Sequence, residues 1–264
     1  MKIGVCGICG RMGVAILDTL LKRKHELGAA FDGPSCTGLG RDAGELLHGE
    51  KLNIQVMPAH IDYVKKCDCI IDFSAPEASM SLLQMVLAEK KSLVIGTTGF
   101  TDEQKALIEK ASHDIPIVFS PNMAVGVNLL FKLTELASKA VDETFDVEIV
   151  ESHHRLKKDA PSGTANKLAE IVRANMKGMS DATIVTGRDG IIGERSSKEI
   201  GVLALRGGDV VGEHTVYFLA EGERVELTIR STKRETYAKG AVLAAEFLQG
   251  KKSGYFSMFD VLGL

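Results

Sequence analysis

Lys2-Ile-Gly-Val-Cys-Gly-Ile-Cys-Gly-Arg-Met-Gly13 is the stretch that decides the fold. Lys2–Cys6 reads as a short apolar strand, and Val14–Lys24 as a helix carrying Ile16, Leu17, Leu20 and Leu21 on one face. Between them stands the turn Gly7-Ile-Cys-Gly10-Arg-Met-Gly13. A strand, a glycine turn and a helix start form the setting in which backbone N–H groups receive a dinucleotide pyrophosphate. In that setting Gly7 permits the tight turn, Gly10 lets backbone approach the pyrophosphate, and Gly13 lets the helix close on the strand. The spacing is G-x-x-G-x-x-G rather than G-x-G-x-x-G, so the turn by itself also fits an ordinary glycine-rich β–α connection.

Working outward, a second strand over Leu27–Phe31 ends at Asp32, nineteen residues after Gly13. A carboxylate there is placed to accept hydrogen bonds from the adenosine ribose. Gly33 follows it, not an arginine that would pair with a 2′-phosphate, which leans the cofactor toward NADH. Arg11 in the turn could still reach such a phosphate, so NADPH stays open. Pro34–Gly49 reads as a polar loop with a short helical piece. Strands are expected over Cys69–Phe73, Ser92–Ile95 and Ile115–Phe119, with helices over Glu77–Lys90 and Thr101–Ser112. Thr101 and Gln104 form a capping box at the start of the last. This alternation predicts an α/β fold, a Rossmann-type doubly wound parallel sheet. Ligands of such sheets bind beyond the carboxyl ends of the strands, so Gly7–Gly13, Asp32, Gly96–Thr98 and Ser120–Met123 should converge on one crevice.

After Met123 the pattern changes. A helix over Val127–Val141 and a strand over Asp146–Ser152 lead into Glu151-Ser-His-His-Arg-Leu-Lys-Lys-Asp-Ala-Pro-Ser-Gly-Thr164. Imidazole titrates nearest neutrality, so His153 or His154 can give or take a proton at working pH. Arg155, Lys157 and Lys158 beside them would hold a substrate carrying carboxylates, and Gly163-Thr164 opens a helix whose first N–H groups make a second anion cradle. A solvated basic turn with two incidental histidines is the blander reading of the same residues. Adjacent strand residues face opposite ways, so both histidines can meet one ligand only if the strand stops at about Ser152. A helix over Thr164–Met176 follows, then strands over Thr183–Thr186, Ile200–Arg206, Val216–Leu219 and Val225–Ser231, the last two joined by the turn Glu221-Gly222-Glu223. His214 lies in an alternating strand pattern and reads as structural. A run of strands after a βα run predicts a second, α+β domain. Arg234–Gln249 is helical again, and Tyr255-Phe-Ser-Met-Phe259 is apolar enough to pack down.

The totals set bounds on function. With 32 basic against 35 acidic residues the net charge is −3, so nothing marks the chain for nucleic acid or a membrane surface, and the basic loop suits a small anion. No apolar run approaches membrane-spanning length, and the N-terminus enters a strand without the apolar core of a signal peptide; the expected location is the cytoplasm. All five cysteines fall in the first 69 residues. Cys6 and Cys9 have C-x-x-C spacing, and Cys67 with Cys69 could complete a four-thiolate zinc set or leave a redox pair. Against that, Cys6 and Cys69 sit in buried strands, where cysteine acts as a small hydrophobe, so no resident metal is expected.

Five blocks in order carry a resemblance: Gly7-x-x-Gly-Arg-Met-Gly13, Gly96-Thr-Thr-Gly99, Pro121-Asn-Met-Ala-Val-Gly-Val-Asn128, His153-His-Arg-x-Lys157-x-Asp-Ala-Pro-Ser-Gly-Thr164 and Arg206-Gly-Gly-Asp-Val-Val-Gly-Glu-His214. Together they resemble the dihydrodipicolinate reductases, nicotinamide-dependent enzymes of lysine and diaminopimelate synthesis. The resemblance implies a dinucleotide-binding domain over 1–124 plus 234–264, and a substrate-binding and oligomerisation domain over 125–233, assembled as a homotetramer. It implies reduction of a cyclic imine dicarboxylate, 4-hydroxy-tetrahydrodipicolinate, by NADH or NADPH. His153 then matches the acid/base and Lys157 the proton donor, while His154, Gly163 and Thr164 match substrate contacts. Gly7, Ile8, Cys9, Gly10, Arg11, Met12, Asp32, Gly96, Thr97, Thr98, Ser120, Pro121, Asn122 and Met123 match the cofactor site, with Arg234 and Tyr237 near it in some members. Gly33 stands where NADPH-using members often carry a basic residue. Two readings from other classes remain: a different two-domain dehydrogenase of amino-acid metabolism, and a non-catalytic NAD-binding sensor.

Overall fold

The computed structural model describes residues 1–264, which fall into two compact units: Met1–Val125 with Arg234–Leu264, and Gly126–Lys233. In unit 1 the chain runs β1 (Lys2–Cys6), α1 (Arg11–Lys22), β2 (Glu26–Phe31), a 3-10 turn (Ala43–Leu47), β3 (Val56–Met57), α2 (Ile61–Val64), β4 (Cys69–Asp72), α3 (Pro76–Ala88), β5 (Ser92–Ile95), α4 (Asp102–Ala111) and β6 (Pro116–Phe119). α5 (Val125–Ala140) leads into unit 2, with β7 (Asp146–His153), α6 (Gly163–Asn175), β8 (Thr183–Val185), β9 (Glu199–Arg206), β10 (Gly212–Ala220) and β11 (Glu223–Ser231). The chain then returns to unit 1 as α7 (Glu235–Phe247), β12 (Gly254–Phe256) and α8 (Met258–Leu262).

Unit 1 is an all-parallel sheet in the order β12-β6-β5-β4-β1-β2-β3. Its central strands are continuous apolar runs because helices cover both faces: Ile3, Val5, Ile70, Ile71, Val94 and Ile117 are fully buried. Chain order reverses between β1 and β4, so the loops after these two strands diverge to opposite faces and open a crevice. The apolar faces of α1 and α7 pack into one core cluster, with Ile16, Leu17 and Leu20 against Ala241, Ala245 and Leu248. Residues 254–256 do more than pack down: they pair with β6 as an edge strand. β3 and α2 are too short to leave a periodic signal in the sequence.

Unit 2 is a mixed sheet in the order β11-β10-β7-β9-β8, with β10 antiparallel to its neighbours and β7, β9 and β8 parallel. β7 alternates intermediate and buried residues along its length, with Val147, Ile149, Glu151 and His153 inward. The strand stops at His153, one residue beyond the expected end, and pairing does not run on to Arg155.

Candidate functional site

In unit 1 the glycine turn meets Asp32 at the end of β2, and residues 120–123 lie beside the end of β5. The amides of Gly7 and Ile8 both donate to the Phe31 carbonyl, at 2.9 and 3.1 Å, which ties the glycine turn to the end of β2. Asp32 Oδ2 accepts from the Cys9 amide at 2.8 Å and Oδ1 from the Gly33 amide at 2.8 Å, so the carboxylate is aimed across the turn. Gly7 has φ +76°, and a Cβ there would stand 2.3 Å from the Phe73 carbonyl oxygen. At Gly13 a Cβ would lie 2.2 Å from the Gly7 oxygen and 2.5 Å from Ile8 Cα. Backbone therefore occupies the room that side chains would need.

The set fits a dinucleotide. Gly10 caps α1 without a side-chain hydrogen bond, so no cap consumes the first-turn N–H groups that an anion would take. Ile8 and Met123 are buried in the core and can offer a ligand only backbone, whereas Arg11, Thr98 and Pro121 are exposed. The Ser120 amide donates to the Ile95 carbonyl at 3.2 Å and the Ser120 hydroxyl to the Asn122 carbonyl at 2.9 Å, which sets 120–123 beside the end of β5.

Between the loops after β4 and β5 stands a group that no sequence motif announces. Asp72 is buried at the end of β4 and accepts from the hydroxyls of Ser74 (2.5 Å), Ser79 and Thr97 (3.3 Å). Burial pushes its carboxyl above the usual range, and those hydroxyls only partly offset it. Three hydroxyls on one carboxylate lock the loops after β4 and β5 together. Ser74 and Ser79 meet Asp72 within the same stretch of chain, whereas Thr97 meets it only through strand order.

The cysteines do not form the four-thiolate set. All five are free, and Cys6, Cys67 and Cys69 are buried. Burial raises all three thiols, Cys67 to about 12 although the Lys91 charge pulls it down, and neighbouring negative charge adds to the rise at Cys6 and Cys69. Such thiols are inert hydrophobes. Cys9 instead lies with Cys36 and Asp32.

In unit 2 the histidine loop closes on a buried carboxylate. Glu151 is fully buried on the inward face of β7, and its Oε2 meets His153 Nδ1 at 2.5 Å. Arg206, register partner of His153 on β9, reaches back with both terminal nitrogens, donating at 2.8 Å to each Glu151 oxygen. Oε1 also accepts the Ser162 amide at 3.1 Å. Burial would raise the Glu151 carboxyl, but the hydrogen bonds from Arg206 and His153 outweigh it and hold the group below the ordinary carboxylate range. An ionised Glu151 accepts only, so Nδ1 of His153 carries the proton and Nε2 is left as the basic nitrogen. Burial, together with the Lys157 and Arg206 charges, outweighs Glu151 and lowers the His153 pKa, so the ring is neutral at neutral pH.

Next to it, His214 packs edge-to-face on the His153 ring with centroids 5.2 Å apart, and its Nε2 lies 3.2 Å from the Ser162 hydroxyl. Burial and the neighbouring His153 depress its pKa to about 4. His214 does stand in a strand, as its alternating pattern predicts, but it also belongs to the site. Lys157 reaches both oxygens of Asp159 at 2.9 Å, and that pairing holds Asp159 below its usual range. His154 Nδ1 is buried without a partner, as a group awaiting a polar ligand would be. Ser162 caps α6 through the Ala165 amide, and exposed Gly163 begins the helix beside it. Glu151 and Arg206 are site residues that the sequence motifs did not single out. Glu151 was readable, since two residues before His153 on one strand means the same face. Arg206 was not; 55 residues separate it from Glu151.

Comparison with known proteins finds one family along nearly the whole chain. Residues 1–123 match the family described as dihydrodipicolinate reductase, N-terminus, and residues 126–262 the same family's C-terminus. The chain is 48% identical to the 4-hydroxy-tetrahydrodipicolinate reductase of Aquifex aeolicus, across 100% of this chain and 99% of that protein. Against the reductase of that name from Dechloromonas aromatica it is 47% identical, covering 100% and 98%. Among solved structures, dipicolinate-bound dihydrodipicolinate reductase from Paenisporosarcina sp. TG-14 superposes with a TM-score of 0.76 at 24% identity, over 98% of each chain, which shows a shared fold.

Proposed function

The chain belongs to the dihydrodipicolinate reductase family, NAD(P)H-dependent oxidoreductases of lysine and diaminopimelate synthesis, and we infer from this that it converts 4-hydroxy-tetrahydrodipicolinate to tetrahydrodipicolinate, the hydroxyl leaving as water and the ring taking one hydride and one proton. In this reading unit 1, through Gly7–Met12, Asp32, Gly96–Thr98 and Ser120–Met123, holds the dinucleotide. Unit 2 grips the dicarboxylate and moves the proton. The nicotinamide, when bound, supplies the hydride. Lys157 exchanges its Asp159 partner for a substrate carboxylate, steadies the charge that develops on the ring, and releases a proton from Nζ. Neutral His153, its tautomer held by Glu151, takes or returns a proton at Nε2; a bound dianion favours the charged ring and so raises its pKa. His154 and the Gly163–Thr164 helix start bind carboxylate oxygens. The observation that carries this reading is the ionised, fully buried Glu151 on His153, beside a lysine paired with an exposed aspartate that a substrate can displace.

NADH is the favoured cofactor, because nothing basic follows Asp32 at Gly33. A homotetramer is part of the proposal; exposed Leu129, Leu133 and Leu136 along α5 and exposed Leu205 on β9 support an association surface. No helix is long and apolar enough to cross a membrane, and we assign the protein to the cytoplasm with the pathway's other steps.

The test supplies pyruvate, aspartate semialdehyde and the preceding synthase, and follows oxidation of NADH and NADPH. Turnover of NADH is expected, and no oxidation of either nucleotide would overturn the assignment. Lys157→Ala should lower kcat about 10²-fold or more with dinucleotide affinity unchanged. Equal loss of both would reassign the lysine to the fold or the cofactor.

A further inference from the structure

Cys9 lies in the glycine turn, Asp32 at the end of β2, and Cys36 four residues on in the loop that follows. Their ligand atoms, two Sγ and one carboxylate oxygen, all lie within 4.8 Å of one another, and none of the three residues is fully buried. Backbone holds the group in place: Asp32 accepts from the Cys9 and Gly33 amides, and the Gly38 amide donates to Cys36 Sγ at 3.3 Å. Gly38 backs the cluster, for a Cβ there would stand 2.6 Å from Cys9 Sγ and 3.4 Å from Cys36 Sγ. Two soft sulfurs and a carboxylate from two loops, converging on a space kept by a glycine, supply three of the four ligands a tetrahedral ion takes. A zinc-class ion with Zn–S of about 2.3 Å needs only small rotamer changes to be held there, with water as fourth ligand.

We propose that Cys9, Asp32 and Cys36 form a binding site for a thiophilic divalent cation, and that the cation and the dinucleotide exclude one another because both require the Asp32 carboxylate. The exclusion rests on the reading of Asp32 as ribose acceptor; the metal site rests on the cluster alone. A carboxylate that neutralises a dication no longer accepts from ribose hydroxyls, and a bound adenosine would cover the same oxygens. The protein would then be inhibited by zinc-class ions in competition with NADH.

Cobalt(II) serves as the probe, titrated into the full-length protein under reducing, oxygen-free conditions. A near-ultraviolet thiolate-to-cobalt charge-transfer band saturating at one equivalent is expected. It should vanish in both Cys36→Ser and Cys36→Ala, while far-ultraviolet circular dichroism and turnover without metal stay as in the parent. The serine variant can keep the hydrogen bond from Gly38, so persistence of the band in either variant, or its absence in the parent, overturns the site. NADH added to the cobalt form should abolish the cobalt d–d band in the visible, where the nucleotide does not absorb, and release the ion. If nucleotide fluorescence shows NADH bound while the band persists, the exclusion fails and Asp32 is not the shared ligand.

Discussion

At the scale of single residues, the site's chemistry depends on which groups keep their protons. Glu151 is ionised in spite of full burial because Arg206 and His153 donate to it, and its charge in turn fixes the proton of His153 on Nδ1. Glu151→Gln keeps the shape but presents an amide that can donate, which allows the wrong tautomer. We expect kcat to fall about 10²-fold or more with little change in NADH affinity. Steady-state kinetics beside nucleotide fluorescence checks this, and an unchanged kcat would remove His153 from the proton path. A Cβ at Gly33 would meet no heavy atom within 4 Å, so the backbone admits a side chain next to Asp32 and Gly33→Arg adds a cation there. The ratio of kcat/KM for NADPH over NADH should rise; a constant ratio would show that selection lies elsewhere.

Elements bear on the site through how closely they approach. α1 meets the glycine turn with no room for a Cβ at Gly13, where Gly7 oxygen and Ile8 Cα would be overlapped. Gly13→Ala must therefore push the helix off the turn, at a cost of about 1–3 kcal/mol or more, and weaken the dinucleotide cradle with it. Thr101→Ala sets the scale for comparison. Thr101 accepts from the Gln104 amide at 3.2 Å and Gln104 Oε1 accepts the Thr101 amide at 2.9 Å, a cap worth about 1 kcal/mol. Thermal unfolding should show both losses, with only the first accompanied by weaker NADH binding. Equal affinity in the two variants would detach α1 from the cofactor.

For the whole molecule, the same buried groups make stability depend on pH. His214 is depressed to about 4 in the fold and returns to about 6.5 when unfolded, so the unfolded chain binds the proton first. Its contribution is complete above about pH 6.5 and is lost as pH falls toward 4, with about 2 kcal/mol gone at pH 5. His153 and Glu151, both held low, act in the same direction. Asp72, held high, gains stability as pH falls and opposes them, so the check is a difference: His214→Asn, which cannot titrate, should lose less melting temperature between pH 7 and 5 than the parent. An unchanged slope in the variant would mean that other groups govern the acid limb.

Much of this protein was legible in the chain itself. Apolar runs and glycine turns signalled β1, β2, β4, β5 and β6, and the capping box placed the start of α4 to the residue. Local chemistry likewise marked the histidine–lysine loop, because helix starts, strand alternation and charge clusters act over only a few residues. Tertiary structure alone decided what lies under those loops. Arg206 reaches Glu151 through the parallel pairing of β9 with β7, Asp72 meets Thr97 through the pairing of β4 with β5, and Cys9 finds Cys36 rather than Cys6. The reason is physical. Periodicity says which face a side chain takes, whereas the partner on that face depends on sheet order and register, which are set by how distant apolar surfaces bury one another.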